Sequence, residues 1–152
     1  DVLVDLDTDH GGKLCGILSE RVDGPAGPHA VIGIGINVSM GRDELPLPTA
    51  TSLAVCGLHH GKNELLASLL VHLDELLTVW LETGTVRDQY VARCDTIGAP
   101  IRLTFDPEIV GGGEEAIEGI GADVDVDGAI VVETSEGRRS FNAADVSHLR
   151  TR

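Results

Sequence analysis

Positive charge is scarce in this chain of 152 residues: 11 lysines and arginines stand against 25 aspartates and glutamates, a formal net charge of −14. Such a surface repels phosphate backbones, so no nucleic-acid partner is expected for this segment. Solubility is the ordinary reason for the excess. Cysteine is also sparse. Cys15, Cys56 and Cys94 are odd in number and far apart. They are poor material for a disulfide framework and fit a reducing, cytoplasmic setting. No apolar run approaches the roughly 18 residues that cross a bilayer, so no membrane partner is expected. No secretory leader is expected, since the first residues already read as strand.

Missing motifs narrow the chemistry further. There is no Gly-x-Ser-x-Gly, which argues against a hydrolase nucleophile. The cysteines form no C-x-x-C pair, and the adjacent His59 and His60 lack a metal-binding partner pattern, so no zinc site is expected. The run Gly57–Asn63 is one residue short of a phosphate loop and has no Ser or Thr after Lys62. Asp123, Asp125 and Asp127 lack the glycine and terminal glutamate of a calcium loop and read as a solvated strand face.

What is present is organised in two parts. The hydrophobic fraction of 42% can support a real core. Residues 1–38 read as three strands: Val2–Val4, Leu14–Val22 and the Val/Ile-rich Val31–Val38. Gly11-Gly12 and the Gly/Pro-rich 23–28 separate them. A Pro-containing loop follows, with Ala50-Thr51-Ser52-Leu53 as a short helical turn. From Asn63, Leu65, Leu66, Leu69, Leu70, Leu73, Leu76, Leu77 and Trp80 recur at helical spacing. That pattern predicts an amphipathic helix docked on a core, stopped near Gly84. Thr85 with Asp88 resembles a capping pattern for a second helix reaching about Cys94. The last third changes to short strands at 101–105, 116–126, 129–133 and 138–142. Asp127-Gly128 signals a type I′ hairpin, and Ser135-Glu136-Gly137 a second turn. The expectation is an α/β (α+β) chain: a partial mixed sheet backed by helices over 1–96, then a small antiparallel barrel over 97–152. The first residue is Asp1 rather than Met, and strand begins at once; a piece of a longer protein is expected.

Two places can carry chemistry. Along Val31–Val38, Ile32, Ile34, Ile36 and Val38 share one face, and Val31, Gly33, Gly35 and Asn37 the other. The first face wants a helix against it. The second is nearly bare. Two glycines weaken a strand, so either a flat ligand or a closely packed backbone lies there. A dinucleotide fingerprint is excluded, because the third glycine and following helix are missing. Lys13, after the Gly-Gly turn, can place an ammonium in a pocket and neutralise a carboxylate or phosphate; the alternative is a solvated lysine at a strand end. Lys13 and Gly16 differ in parity, so they share a site only if regular pairing starts after Lys13 or the strand is bulged.

Five segments in order resemble the biotin–protein ligases. Asp1-Val2-Leu3-Val4 looks like the end of their Lys-Trp-Pro-Asn-Asp motif and the strand after it. Residues 12–20 resemble their Gly-Lys-Leu-Ala-Gly-Ile-Leu-x-Glu segment, with Cys15 in place of alanine. Residues 31–38 resemble their Val-x-Gly-x-Gly-Ile-Asn-Val strand, Ala50–Leu53 a following loop element, and Ala144–Arg150 their Gly-Asp-Val-Ser-x-Leu-Arg ending. The resemblance spans essentially the whole chain. It implies an SH3-like C-terminal domain and a two-step chemistry. Biotin and MgATP give biotinyl-5′-adenylate and pyrophosphate; a lysine of a biotin carboxyl carrier domain then attacks and AMP leaves. By that mapping Lys13 contacts biotin and the acyl-phosphate region, Gly16, Ile17 and Gly33 line the biotin pocket, and Asp1, Asn37 and Arg150 lie towards ATP and its Mg2+. The family's basic Gly-Arg-Gly-Arg loop and the Lys-Trp-Pro-Asn before Asp1 do not occur here, so these residues by themselves are expected to have little or no ligase activity. A lipoate–protein ligase is the related alternative. A non-catalytic carrier-binding fragment or pseudoenzyme is the alternative of another class. An edge strand able to pair with a second subunit leaves a homodimer open.

Overall fold

The computed structural model describes residues 1–4, 8–105, 116–142 and 144–149. The chain is α+β and divides into two compact units, 1–72 and 73–152. Each is described by itself.

The first unit is built on a three-stranded antiparallel sheet in the order β1-β2-β3: β1 (Val2–Val4), β2 (Gly12–Gly24) and β3 (Gly27–Ile36). The β2–β3 hairpin is longer than the sequence pattern suggested. Its ladder runs from Cys15↔Ile36 to Gly24↔Gly27, consuming most of the expected Gly/Pro loop. Gly27 adopts φ 110°, a backbone state that costs glycine little. The only described parallel contact is an isolated bridge between Lys13 and Ala50.

Burial in this unit is concentrated on the Ala50–Leu53 segment. Thr51 and Ser52 are fully buried, with Ala50, Leu53 and Cys15 beside them. Buried hydroxyls need partners, and these have them. Thr51 Oγ1 donates to the His10 carbonyl at 2.6 Å and Ser52 Oγ to the Met40 carbonyl at 2.6 Å. The segment is therefore a polar hub tying three loops together.

Helix α1 (Lys62–Thr83) forms over the expected residues and ends at Gly84, φ 78°, whose N–H donates to the Trp80 carbonyl. Its expected docking on a core is corrected. None of its residues is buried, and Leu66, Leu70, Leu73, Leu76, Leu77 and Trp80 are exposed. Among the described residues, too little apolar surface packs against the stripe to cover it.

The second unit continues with α2 (Arg87–Val91), shorter than the predicted reach to Cys94. Thr85 Oγ1 accepts the Arg87 N–H at 3.1 Å, but Val86 takes the N-cap position and no side-chain cap bond forms, so the expected Thr85–Asp88 capping pattern is corrected. A five-stranded antiparallel sheet follows in the order β7-β6-β5-β4-β8: β4 (Pro100–Thr104), β5 (Ala116–Val124), β6 (Ile130–Thr134), β7 (Gly137–Phe141) and β8 (Asp145–His148). Among the described residues no ladder joins β7 to β8, so the expected barrel is an open sheet in its pairing. Ile101, Leu103, Ile117 and Val132 form its core, with Phe105 and Phe141 packed against them at 5.6 Å between rings. The side chain of Arg87 fastens α2 to β5. Its Nε donates to the Val124 carbonyl at 2.6 Å, and its guanidinium pairs with Asp123.

The β5–β6 turn also differs from expectation. It is not a two-residue turn centred on Asp127-Gly128. The Gly128 N–H donates to the Asp125 carbonyl and the Asp125 N–H to the Ala129 carbonyl, a three-residue loop with Gly128 at φ 87°. The Asp125 carboxylate takes the Asp127 and Ala129 N–H groups, each at 3.0 Å, and the Ser140 hydroxyl at 2.7 Å. Those bonds, the Ser140 one foremost, hold its pKa below the usual carboxylate range.

Candidate functional site

The site grows from the start of β2. Gly12 stands at φ 149°, and a Cβ there would collide with the Thr49 carbonyl. That close approach lets the Lys13 N–H donate to the Thr49 carbonyl and the Thr51 N–H donate to the Lys13 carbonyl, both at 2.9 Å. The backbone of Lys13 is thus fixed on both sides of the buried hub.

The parity conflict between Lys13 and Gly16 is removed by a bulge. Val2 pairs with Cys15 but Leu3 pairs with Lys13, so β2 carries one extra residue at this point. Lys13 is turned onto the face of Gly16. A Cβ built on Gly16 would lie 3.6 Å from Lys13 Cε and 3.7 Å from its Nζ. Lys13 Nζ meets Asp1 Oδ2 at 2.7 Å, while Asp1 Oδ1 accepts the Ile17 N–H at 3.3 Å. Both charged side chains are about half exposed, at 45% and 48%. An ion pair in such water contact is worth about 0–1 kcal/mol. Lys13 can therefore exchange Asp1 for an incoming anion at small cost.

Beside this pair lies a shallow groove bordered by Asp1, Lys13, Gly16, Leu18, Gly33 and Gly35. Directly paired residues of an antiparallel ladder share a face. Gly16↔Gly35 and Leu18↔Gly33 are such pairs, so glycines pave the floor. Among the described residues, the close-packing explanation finds no partner at Gly33 or Gly35. A Cβ on Gly33 meets only the Leu18 carbonyl at 3.8 Å, and one on Gly35 only the Gly16 carbonyl at 4.0 Å. Both are ordinary contacts. The space above the glycines is left open by the described residues.

The structure thus brings Asp1, Lys13, Gly16 and Gly33 together. Ile17 borders the groove through its main chain; strand alternation turns its side chain to the face of Ile32, Ile34 and Ile36. Leu18, which the sequence reading passed over, stands on the glycine face instead. Its parity with Gly16 was the available signal. Asn37 does not border the groove. Its side-chain amide donates to the Thr51 carbonyl at 2.9 Å, and its backbone joins Leu14 and Leu53. It serves the hub. Arg150 lies outside the described residues. Among them, no cluster of three or more His, Cys, Asp or Glu side chains is placed to hold a metal. No described helix is long and apolar enough to cross a membrane.

Residues 96–149 match the family described as biotin protein ligase C terminal domain. Over 142 residues the chain is 34% identical to the biotin--[acetyl-CoA-carboxylase] ligase of Mycobacterium tuberculosis, covering 92% of this chain and 49% of that protein. The apo structure of the biotin protein ligase from Aquifex aeolicus superposes with a TM-score of 0.70 at 22% identity, covering 90% of this chain and 58% of that one. The structure of that ligase in complex with biotin and ATP gives 0.67 at 23% identity, covering 92% and 57%. The chain thus spans about half the length of the curated relative it matches. With its fold matched and its sequence related over nearly all its residues, the chain belongs to the biotin protein ligase family.

Proposed function

We propose that this chain supplies one wall of the active site of a biotin–protein ligase. The observation that carries the reading is the groove itself: a lysine ammonium held over a strand pair paved with Gly16, Gly33 and Gly35. A flat bicyclic acid needs an open floor at van der Waals distance and a cation near its carboxylate. The groove has both, and the related proteins are biotin ligases.

In this reading biotin lies on the glycine floor between Leu18 and Lys13. Its carboxylate oxygen attacks the α-phosphorus of ATP, and pyrophosphate leaves. Lys13 draws off the charge that builds between carboxylate and phosphate. The amine of a carrier-domain lysine then attacks the acyl carbon of biotinyl-5′-adenylate, and AMP departs. Asp1, released from Lys13, lies on the nucleotide side. It is the carboxylate at the groove, and one carboxylate is a normal protein share for Mg2+ that travels with ATP phosphates. Asn37 acts at one remove, holding the Thr51 segment that fixes Lys13; a direct role at ATP belongs to the family mapping, as does Arg150. We place the functional boundary at 96/97, one residue inside the C-terminal domain match that starts at residue 96, and the enzyme in the cytoplasm.

The test is biotin-dependent exchange of pyrophosphate into ATP by a ligase-length protein containing these residues, with lipoate and octanoate as competing acids. Exchange with biotin alone supports the reading. Exchange with lipoate instead moves the protein to the lipoate ligases. Carrier-domain binding without exchange of any acid makes it a non-catalytic module.

A further inference from the structure

Lys13 follows Gly11 and Gly12, two residues whose backbone is the freest to move. The floor of the groove is fixed differently. Gly16, Gly33 and Gly35 belong to the regular β2–β3 ladder. Lys13 lies before that ladder begins, at the bulge opposite Val2. What holds it there comes from elsewhere in the chain. Thr51 is fully buried beside the Gly-Gly turn. Its hydroxyl donates to the His10 carbonyl at 2.6 Å, and its N–H donates to the Lys13 carbonyl at 2.9 Å. One residue thus grips the turn at both ends. The exposed Arg42 adds a second tie between the same two stretches, donating to the Asp9 carbonyl at 2.5 Å and the Ala50 carbonyl at 3.3 Å. Ser52 is buried as deeply as Thr51. Its hydroxyl donates to the Met40 carbonyl at 2.6 Å and accepts the Val55 N–H at 3.1 Å. Neither of those bonds reaches the turn.

We infer that the Thr51 hydroxyl is a positioning residue for the adenylation step: it holds the Gly-Gly turn in the one conformation that keeps the Lys13 ammonium over the glycine floor. The inference rests on the role of Lys13 proposed above. Without the hydroxyl the His10 carbonyl loses its donor. Cys56 Sγ, at 3.8 Å from that carbonyl, is a weak donor and no substitute. The turn then regains the freedom of two glycines, and Lys13 spends part of its time away from Gly16. The loss falls on the charge that builds between carboxylate and phosphate, an interaction of the transition state. It does not fall on the floor, which its own ladder fixes. Turnover therefore suffers and biotin binding does not.

The test is a double-mutant cycle in the ligase-length protein, read by biotin-dependent pyrophosphate exchange. Thr51→Val keeps the side chain's bulk and removes the donor. It should lower kcat about 10- to 100-fold, with KM for biotin within about threefold of the parent. In a Lys13→Ala background the same substitution should cost less than about threefold, because no ammonium is left to position. Thr51→Ser, which keeps the donor, should hold kcat within about threefold of the parent. Ser52→Ala removes an equally buried hydroxyl from the same hub. It should lower the urea midpoint and leave kcat within about threefold. Arg42 is exposed, so Arg42→Gln carries the same cycle if Thr51→Val does not fold; its smaller loss of kcat should also vanish when Lys13 is absent. Losses that multiply with Lys13→Ala overturn the inference, as does an unchanged kcat in the folded variant or an equal loss from Ser52→Ala. Each of these leaves Lys13 in the chemistry. A parental rate for Lys13→Ala itself is a different failure: it removes the catalytic reading, and the inference with it.

Discussion

Gly33→Val separates a ligand floor from a packing site, because the two readings predict opposite outcomes. A Cβ at position 33 has the Leu18 carbonyl at 3.8 Å as its nearest neighbour. The fold therefore has room for the side chain. Glycine within a strand costs about 0.5–1 kcal/mol relative to residues with a Cβ, and β-branched residues favour strands. The substitution should leave the first unit as stable as before or up to about 1 kcal/mol more stable. Its two methyl groups, however, would stand above the sheet between Leu18 and Gly35, where biotin is proposed to lie flat. Losing that floor should weaken biotin binding by about 100-fold or more, equivalent to about 2.7 kcal/mol. Isothermal titration of biotin into the ligase-length protein reads the affinity. Urea unfolding of the same variant, followed by amide exchange in β2 and β3, reads the stability. Intact strands with biotin affinity within threefold of the parent would falsify the ligand role of the glycine floor. Destabilised strands would mean that a neighbour packs on Gly33.

Much of the fold was legible because its signals are local. The β-rich start, the helix over 62–83, its stop at Gly84 and the turn that leads into β7 at Gly137 rest on periodicity and on glycine at positive φ. The site was half legible. Lys13, Gly16 and Gly33 are legible as candidates from their residue types and family pattern, but their meeting depends on a bulge opposite Val2. Bulges are set by how two strands register, and one strand's sequence does not report that. Leu18 was legible in principle from its parity with Gly16 and was displaced by the family mapping of Ile17. Asn37 is ambiguous in the sequence, because a lone amide at a strand end looks the same whether it faces a ligand or, as here, the Thr51 carbonyl. The β8 strand lacks a local signal: Asp145–His148 is extended because β4 lies beside it. The same holds for Thr51 and Ser52, whose burial arises from loops brought in from His10 and Met40.

Three further outcomes follow from single residues. Lys13→Ala should change unfolding stability by no more than about 1 kcal/mol, since its ion pair with Asp1 is half exposed. It should nevertheless lower biotin-dependent pyrophosphate exchange about 100- to 1000-fold; near-parental exchange would remove Lys13 from the chemistry. Gly121→Ala should destabilise the C-terminal sheet by about 3 kcal/mol, because a Cβ there collides with the Thr96 carbonyl in the segment that crosses β5, and an unshifted urea midpoint for that sheet would refute the contact. The last concerns acid. The carboxylate of Asp125 accepts the Ser140 hydroxyl and the Ala129 and Asp127 N–H groups, so its pKa is lowered in the folded protein. A depressed carboxylate stabilises the fold above its unfolded pKa, about 3.9. That contribution fades as pH falls through the lower folded value. The β5–β6 turn should therefore loosen below about pH 4, seen as faster exchange of the Ala129 amide after correction for the intrinsic pH effect. Asp125→Asn keeps an oxygen for those N–H groups but has no proton to gain. It should flatten the acid dependence while leaving the turn formed at neutral pH. Equal acid sensitivity in the two proteins would show that another carboxylate governs the turn.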